Sequence, residues 1–231
     1  MNLACATCPV RDKAACSVLS IDERNALAKA GRTISLKRGE TLFHAGDTNA
    51  LCATLTSGAL KVRSIDQDGS ERILALVHPA GFVGELFRPF ADHDVVALGA
   101  SELCVFSQPA MTEALDVYPS LTKALFRRSQ EDLHESRALL ELSGKASAAR
   151  KVATTVASFA QAASDSPCHP AQTFNLPLSR GELADFLGLT IETVSRQLSR
   201  LEQDGVIKKN GTRGIDLLDP ARLQLVSDQG Y

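Results

Sequence analysis

Three cysteines crowd the start of the chain as Cys5-x2-Cys8-x7-Cys16, and a fourth, Cys104, follows 88 residues later. Four soft thiolates are a donor set for a [4Fe–4S] cluster or for a zinc ion. Zinc sites more often use two C-x2-C pairs or add histidines, and Cys104 has no such near neighbour. The other two cysteines, Cys52 and Cys168, fit neither pattern and read as a strand residue and a loop thiol. A second chemistry lies in the run SRGELADFLGLTIETVSRQLSRLEQDG at 179–205. There Glu192, Ser195, Arg196 and Ser199 recur at i, i+3, i+4 and i+7, while Val194, Leu198 and Leu201 share the opposite helical face. An arginine can donate two hydrogen bonds to guanine, and a glutamate can accept one from the amino group of cytosine.

The elements that must carry these residues follow from local signals. Ser179 with Glu182 forms a capping box for a short helix with Leu183 and Leu187 inward, Gly188 permits a tight turn, and Thr190 caps a second helix running to Gly205. This predicts a helix-turn-helix, followed by a β-hairpin over 206–218 around Asn210-Gly211, a wing that brings Lys208, Lys209 and Arg213 to DNA phosphates. Further upstream, Ser20 and Glu23 open a helix to about Ala30. Glycines punctuate an alternating apolar/polar stretch from Thr33 to about Gln108, which predicts short strands in a sandwich or barrel, with a hairpin turn at Asp68-Gly69. Residues 119–142 predict one long helix beginning at Pro119 and ending at Ser143-Gly144. Leu121, Leu125 and Leu139 fall on its apolar positions, with Asp132 and Glu135 near the seam, a pattern for weak, conditional self-pairing. An Ala-rich stretch (145–164) and a Pro-containing loop (165–172) lead into the last domain.

Composition narrows the options. Of 231 residues, 44% are hydrophobic and 23% charged, with net charge −2. Residues 1–142 carry 15 Lys/Arg against 18 Asp/Glu, and residues 143–231 carry 10 against 9, so DNA would be read by a local patch rather than a global field. No apolar run reaches the roughly 18 residues of a membrane span, and the N-terminus lacks a secretory pattern. A cytoplasmic location follows as the expectation, with thiols reduced. Without tryptophan and with two tyrosines, the chain offers no stacking platform for single strands. No nucleophile–base constellation or phosphate-binding glycine loop points to an enzyme.

A β-roll, a long helix and a C-terminal winged helix-turn-helix in this order, an α+β chain, resemble the CRP/FNR superfamily of bacterial transcription regulators. The stretch Glu192-Thr193-Val194-Ser195-Arg196 is similar to the recognition motif E-x-x-S-R of the FNR branch, and the x7 cysteine spacing to that of its FnrL/FnrN-type members. The resemblance implies a cysteine-rich segment (1–18), a β-roll sensor domain (19–117), a dimerisation helix (118–142) and a winged DNA-binding domain (143–231). It implies a homodimer on TTGAT-type inverted repeats of double-stranded DNA, with Glu192, Ser195 and Arg196 reading bases, Arg180 and Thr193 on phosphates, and RNA polymerase as a partner. It also implies an oxygen-labile [4Fe–4S] cluster on Cys5, Cys8, Cys16 and Cys104. Gly84-Glu85-Leu86 matches the start of the family's phosphate cassette, yet the arginine and serine it needs are replaced by Val95 and Val96, which argues against cyclic AMP. Two alternatives stay open within the family: haem sensing of nitric oxide or carbon monoxide through one of His44, His78, His93, His134 and His169, and cofactor-free thiol redox control.

Overall fold

The computed structural model describes residues 3, 5–164, 166 and 168–230, and the chain divides into two compact units, Met1–Glu135 and Ser136–Tyr231. Asp165 and Pro167 of the expected loop lie outside the described residues. Before the first helix the N-terminal segment makes two short 3-10 turns, Cys5–Thr7 and Ala15–Val18. Helix α1, Ile21–Lys29, opens on the expected capping box: the Ser20 hydroxyl accepts from the Glu23 amide at 3.3 Å, and the Glu23 carboxylate accepts from the Ser20 amide at 2.8 Å.

Strands β1 (Gly31–Leu36), β2 (Thr41–Phe43), β3 (Leu51–Ser57), β4 (Leu60–Ile65), β5 (Glu71–Val77), β6 (Phe82–Val83), β7 (Asp94–Ala97) and β8 (Ser101–Ser107) form two antiparallel sheets in the orders β1-β8-β3-β6 and β2-β7-β4-β5. Side chains along β8 alternate between the two faces of its sheet. On β8, Leu103 and Val105 enter the core shared by both sheets, with Leu55, Leu60 and Val95. Cys104 and Phe106 point to the outer face of that sheet, where Leu27 of α1, Cys52 of β3 and Leu121 pack. This period-two choice is what turns Cys104 toward the N-terminal segment.

The cassette region shows why its remnant persists. Val95 and Val96 are buried in the β7 ladder, so no cation stands at either place. Glu85 is half-exposed and pairs with Arg88 at 3.4 Å. Gly84 has φ +114°, and a Cβ there would meet the Cys52 backbone at 2.9 Å. Its requirement is therefore steric. Gly84→Ala should lower the urea midpoint by the equivalent of about 1–3 kcal/mol, the usual cost of overpacking plus backbone strain. An unchanged midpoint would show that the strand can shift to make room.

Helix α2 (Gln108–Val117) leads into α3 (Pro119–Lys145). The helix runs through Ser143-Gly144, where it was expected to stop, because a lone glycine costs a helix only about 1 kcal/mol. The break falls just beyond, where the Ser147 hydroxyl accepts from the Arg150 amide at 3.2 Å and starts α4 (Ala148–Ala162). The unit boundary at Glu135/Ser136 thus lies inside one continuous helix.

In the second unit, α5 (Arg180–Leu187) and α6 (Ile191–Gln203) are joined through Gly188 in the left-handed conformation, φ 61°. Leu183, Leu187, Val194, Leu198 and Leu201 are buried as their spacing requires. The buried Lys151 of α4 donates its ammonium to the Leu187 carbonyl at 3.2 Å, satisfying an orphan acceptor at the α5 C-terminus. The wing consists of β10 (Ile207–Asn210) and β11 (Gly214–Leu217), with β9 (Thr173–Asn175) added on the other edge of β11. Neither β9 nor the C-terminal helix α7 (Pro220–Gln229), which packs on α4, was foreseen from local patterns.

Candidate metal centre and nucleic-acid interface

Cys5, Cys8, Cys16 and Cys104 line one cavity of about 610 Å³, counting the part open to solvent. Its floor is the outer sheet face, with Thr54, Phe82 and Phe106, and its walls come from the N-terminal turns, α1, Met111 of α2, and Leu121 and Leu125 of α3. Cys8 and Cys16 also pack against the small apolar cluster of Val10, Ala14 and Ala80, which seats the segment on the sheet. Cys52 shares the outer face but is fully buried with its thiol toward the Phe106 carbonyl at 3.9 Å, and Cys168 is exposed. None of the five histidines lines the cavity.

The surroundings disfavour bare thiolates. Burial pushes the Cys104 thiol far up, with the neighbouring cysteines adding to the effect. Cys5 and Cys16 are also raised by burial, with Arg24 opposing. Thiolates held here therefore require a cationic centre to displace their protons. Among the described residues, no three His, Cys, Asp or Glu side chains converge closely enough to hold a single metal ion. Four thiols lining one cavity are a donor set of the kind that holds an iron–sulfur group or a zinc ion.

Two residues expected on the dimer seam are placed differently. Leu121 is only 2% exposed and Leu125 half-buried, both committed to the cavity wall of their own unit. Asp132 pairs with Arg128 on the same helix at 3.3 Å, Glu135 is exposed and Leu139 is half-buried. The apolar residues that α3 leaves exposed are Phe126 (64%), Leu133 (50%) and Leu140 (70%). Their spacing of seven was available in the sequence, but burial was needed to tell this stripe from the one facing inward.

At the other site, α6 presents Glu192 and Arg196 exposed and Ser195 half-buried on one face. The Glu192 carboxyl is held below its usual range by its own helix-end amide and by Thr190. Thr193 donates its amide to the Thr190 hydroxyl at 3.2 Å, and the two hydroxyls are 3.1 Å apart. On the wing, Lys208 is exposed. Lys209 instead bonds Glu202 at 2.8 Å and Ser199 at 3.1 Å, clamping β10 to α6, and Arg213 donates to the Pro177 carbonyl at 3.1 Å. Arg180 is half-buried near Glu202. Arg200 is exposed one turn beyond Arg196 on the same helix.

A β-roll joined by a long helix to a winged helix-turn-helix with a polar recognition face is the build of a DNA-binding transcription regulator. Residues 33–118 match the cyclic nucleotide-binding domain family and residues 136–226 the Crp-like helix-turn-helix domain family. The chain is 32% identical to the transcriptional activator protein FnrL of Cereibacter sphaeroides, over 95% of this chain and 90% of the relative. It is 30% identical to the transcriptional activator protein anr of Pseudomonas aeruginosa, over 95% and 89%. The solved structure of FixK2 from Bradyrhizobium japonicum superposes with a TM-score of 0.76 at 24% identity, covering 84% of this chain and 96% of that one. The chain belongs to the CRP/FNR family of transcription regulators, a non-enzymatic family, and its relatives are activators of the FNR type. No helix among the described residues is long and apolar enough to cross a membrane.

Proposed function

We propose that this regulator senses oxygen through a [4Fe–4S] cluster on Cys5, Cys8, Cys16 and Cys104 and binds TTGAT-type inverted repeats as a cytoplasmic homodimer when oxygen is scarce. The observation that carries the reading is the shared cavity: the four thiols and Leu121 and Leu125 of α3 line the same space. When bound, such a cluster supplies oxygen lability, because its inorganic core is lost on oxidation. Cys5, Cys8 and Cys16 tie the N-terminal segment to Cys104 on β8, holding the segment against the sheet. That tie completes the wall on which Leu121 and Leu125 rest, and so biases the conformation of α3. Phe126, Leu133 and Leu140 then form the seam with a second copy, with Ser129 and Ser136 between them keeping the pairing weak enough to be switched. Modest coupling suffices, since about 1.4 kcal/mol changes an equilibrium tenfold.

In the DNA complex, Glu192, Ser195 and Arg196 read base edges, while Arg180, Thr193 and Lys208 contact phosphates. Lys209 and Arg213 contribute chiefly by fixing the wing to α6 and to the 177 carbonyl. The exposed turn Asp66–Ser70, and the exposed residues Arg88, Pro89, Phe90 and Asp92 of the segment leading into β7, are the surfaces offered to RNA polymerase, whereas Ala91 and Asp94 are buried.

The test is anaerobic purification with iron and sulfide assays and a visible spectrum before and after air. About four iron atoms per chain and bleaching in air are expected; a colourless protein with zinc or without metal would overturn the sensor reading. A Soret band would replace it with haem sensing. Leu133→Asp should load the cluster normally yet sediment as a monomer without oxygen, because a carboxylate replaces apolar contact that contributes about 1.5–3 kcal/mol per buried leucine. An anaerobic Leu133→Asp dimer would place the seam elsewhere.

A further inference from the structure

We propose that Arg24 is a positioning residue that slows oxidative loss of the cluster, by fixing a guanidinium cation and a spare N–H donor in the wall of the cysteine cavity. The inference rests on the iron–sulfur reading above. Arg24 lines the cavity together with all four cysteines. Its Nη2 donates to the Ser17 carbonyl at 3.2 Å and the Leu19 carbonyl at 3.1 Å, so the guanidinium is anchored to the backbone immediately after Cys16. Its Nε is buried and has no hydrogen-bond partner. A buried N–H without an acceptor costs about 1–3 kcal/mol. The side-chain acceptors that share its wall are the four cysteine sulfurs and the hydroxyls of Thr54 and Thr56, and a bound cluster would add sulfur acceptors to that wall.

The other cation at this cavity is of a different kind. Arg11 is half-exposed and pairs with Asp12 at 3.5 Å, where solvent screens it. Arg24 is tied down and partly shielded, so its field acts through a lower dielectric. A cluster with four thiolate ligands carries net negative charge. Oxidative loss of such a cluster would begin with one electron passing to dioxygen, which would become superoxide. A fixed cation and an N–H···S bond both favour the electron-rich form, and hydrogen bonds to sulfur are a recognised lever on cluster potential. Arg24 therefore holds the reduction potential up and makes the departing electron harder to remove.

The experiment compares the full-length protein with Arg24→Gln and Arg24→Lys, all loaded anaerobically. Iron and sulfide are assayed first. A wild-type chain that takes up no cluster overturns the function reading itself, whereas a loaded wild type leaves Arg24 as the sole question. Decay of visible absorbance after mixing with aerated buffer and the midpoint potential are then measured. Arg24→Gln is expected to bleach about tenfold faster at a lower potential, and Arg24→Lys, which keeps the charge, to fall between. Equal decay and equal potential in all three overturn the proposal, and so does a loss of folding stability that leaves both readouts unmoved. Should Arg24→Gln fail to fold or load, Arg24→Lys carries the comparison: a rate and potential equal to wild type despite the lost Nε–H donor would overturn the hydrogen-bond role.

Discussion

Cys104→Ala is expected to give an anaerobic protein that folds, holds no [4Fe–4S] cluster and remains monomeric. Cys104 is the cavity's one thiol on a β-roll strand, with Thr33 and Thr54 as its neighbours across the sheet. The other three belong to the N-terminal segment, so in the proposed cluster only Cys104 would anchor the tie to the sheet. Alanine is tolerated on the half-buried outer face at a cost of about 1 kcal/mol, so circular dichroism and the urea midpoint should change little. The functional loss should be much larger. Without the tie, the segment seats only through contacts such as those of Val10 and Ala14 with Ala80, and the dimer dissociation constant should rise at least about tenfold. Sedimentation without oxygen, together with iron and sulfide analysis, reads both effects. An anaerobic dimer that still holds iron would remove Cys104 from the ligand set.

The second large effect is expected on DNA. Arg196→Ala removes an exposed bidentate donor from the face of α6 while leaving the buried residues Val194, Leu198 and Leu201 untouched. Loss of one base contact costs about 1–3 kcal/mol per half-site, and a symmetric dimer makes the contact twice. Affinity for a TTGAT-type inverted repeat should therefore fall by more than about a hundredfold. Affinity for a scrambled duplex at the same salt should fall far less, because phosphate contacts are insensitive to sequence. Equal losses on both duplexes would make Arg196 a phosphate contact. Lys208→Ala is expected to behave in that second way, weakening both duplexes alike and flattening the salt dependence. Lys209→Ala acts through position instead, since its ammonium joins Glu202 and Ser199 within the domain.

Much of the architecture is carried by signals only a few residues long. Ser20 with Glu23 and Ser179 with Glu182 make capping boxes whose two hydrogen bonds close within one helical turn. Gly188 terminates α5 because glycine adopts the left-handed conformation without a Cβ penalty. The helix-turn-helix is legible for this reason, and so is the exposure of Glu192 and Arg196 opposite Val194 and Leu198. The missing elements lacked such signals. β9 is three residues long and exists as a strand only because β11 pairs with it. The end of α3 lies beyond the stop that Ser143-Gly144 suggests, because the Ser147 cap of the following helix sets it.

The sequence by itself determined the residue types, the caps and the periodicities: the Cys5-x2-Cys8-x7-Cys16 run with Cys104 beyond it, a polar face on α6, and the apolar positions along α3. Those depend on interactions within one or two turns of chain. Which face of β8 carries Cys104, whether Leu121 and Leu125 turn outward to a partner or inward to the cavity, and where the Arg24 guanidinium rests were decided by tertiary structure. The physical reason is that burial is a property of the packed whole. An apolar side chain on an amphipathic helix has no preference between two covers of equal apolarity, and only the fold shows which one the chain itself supplies.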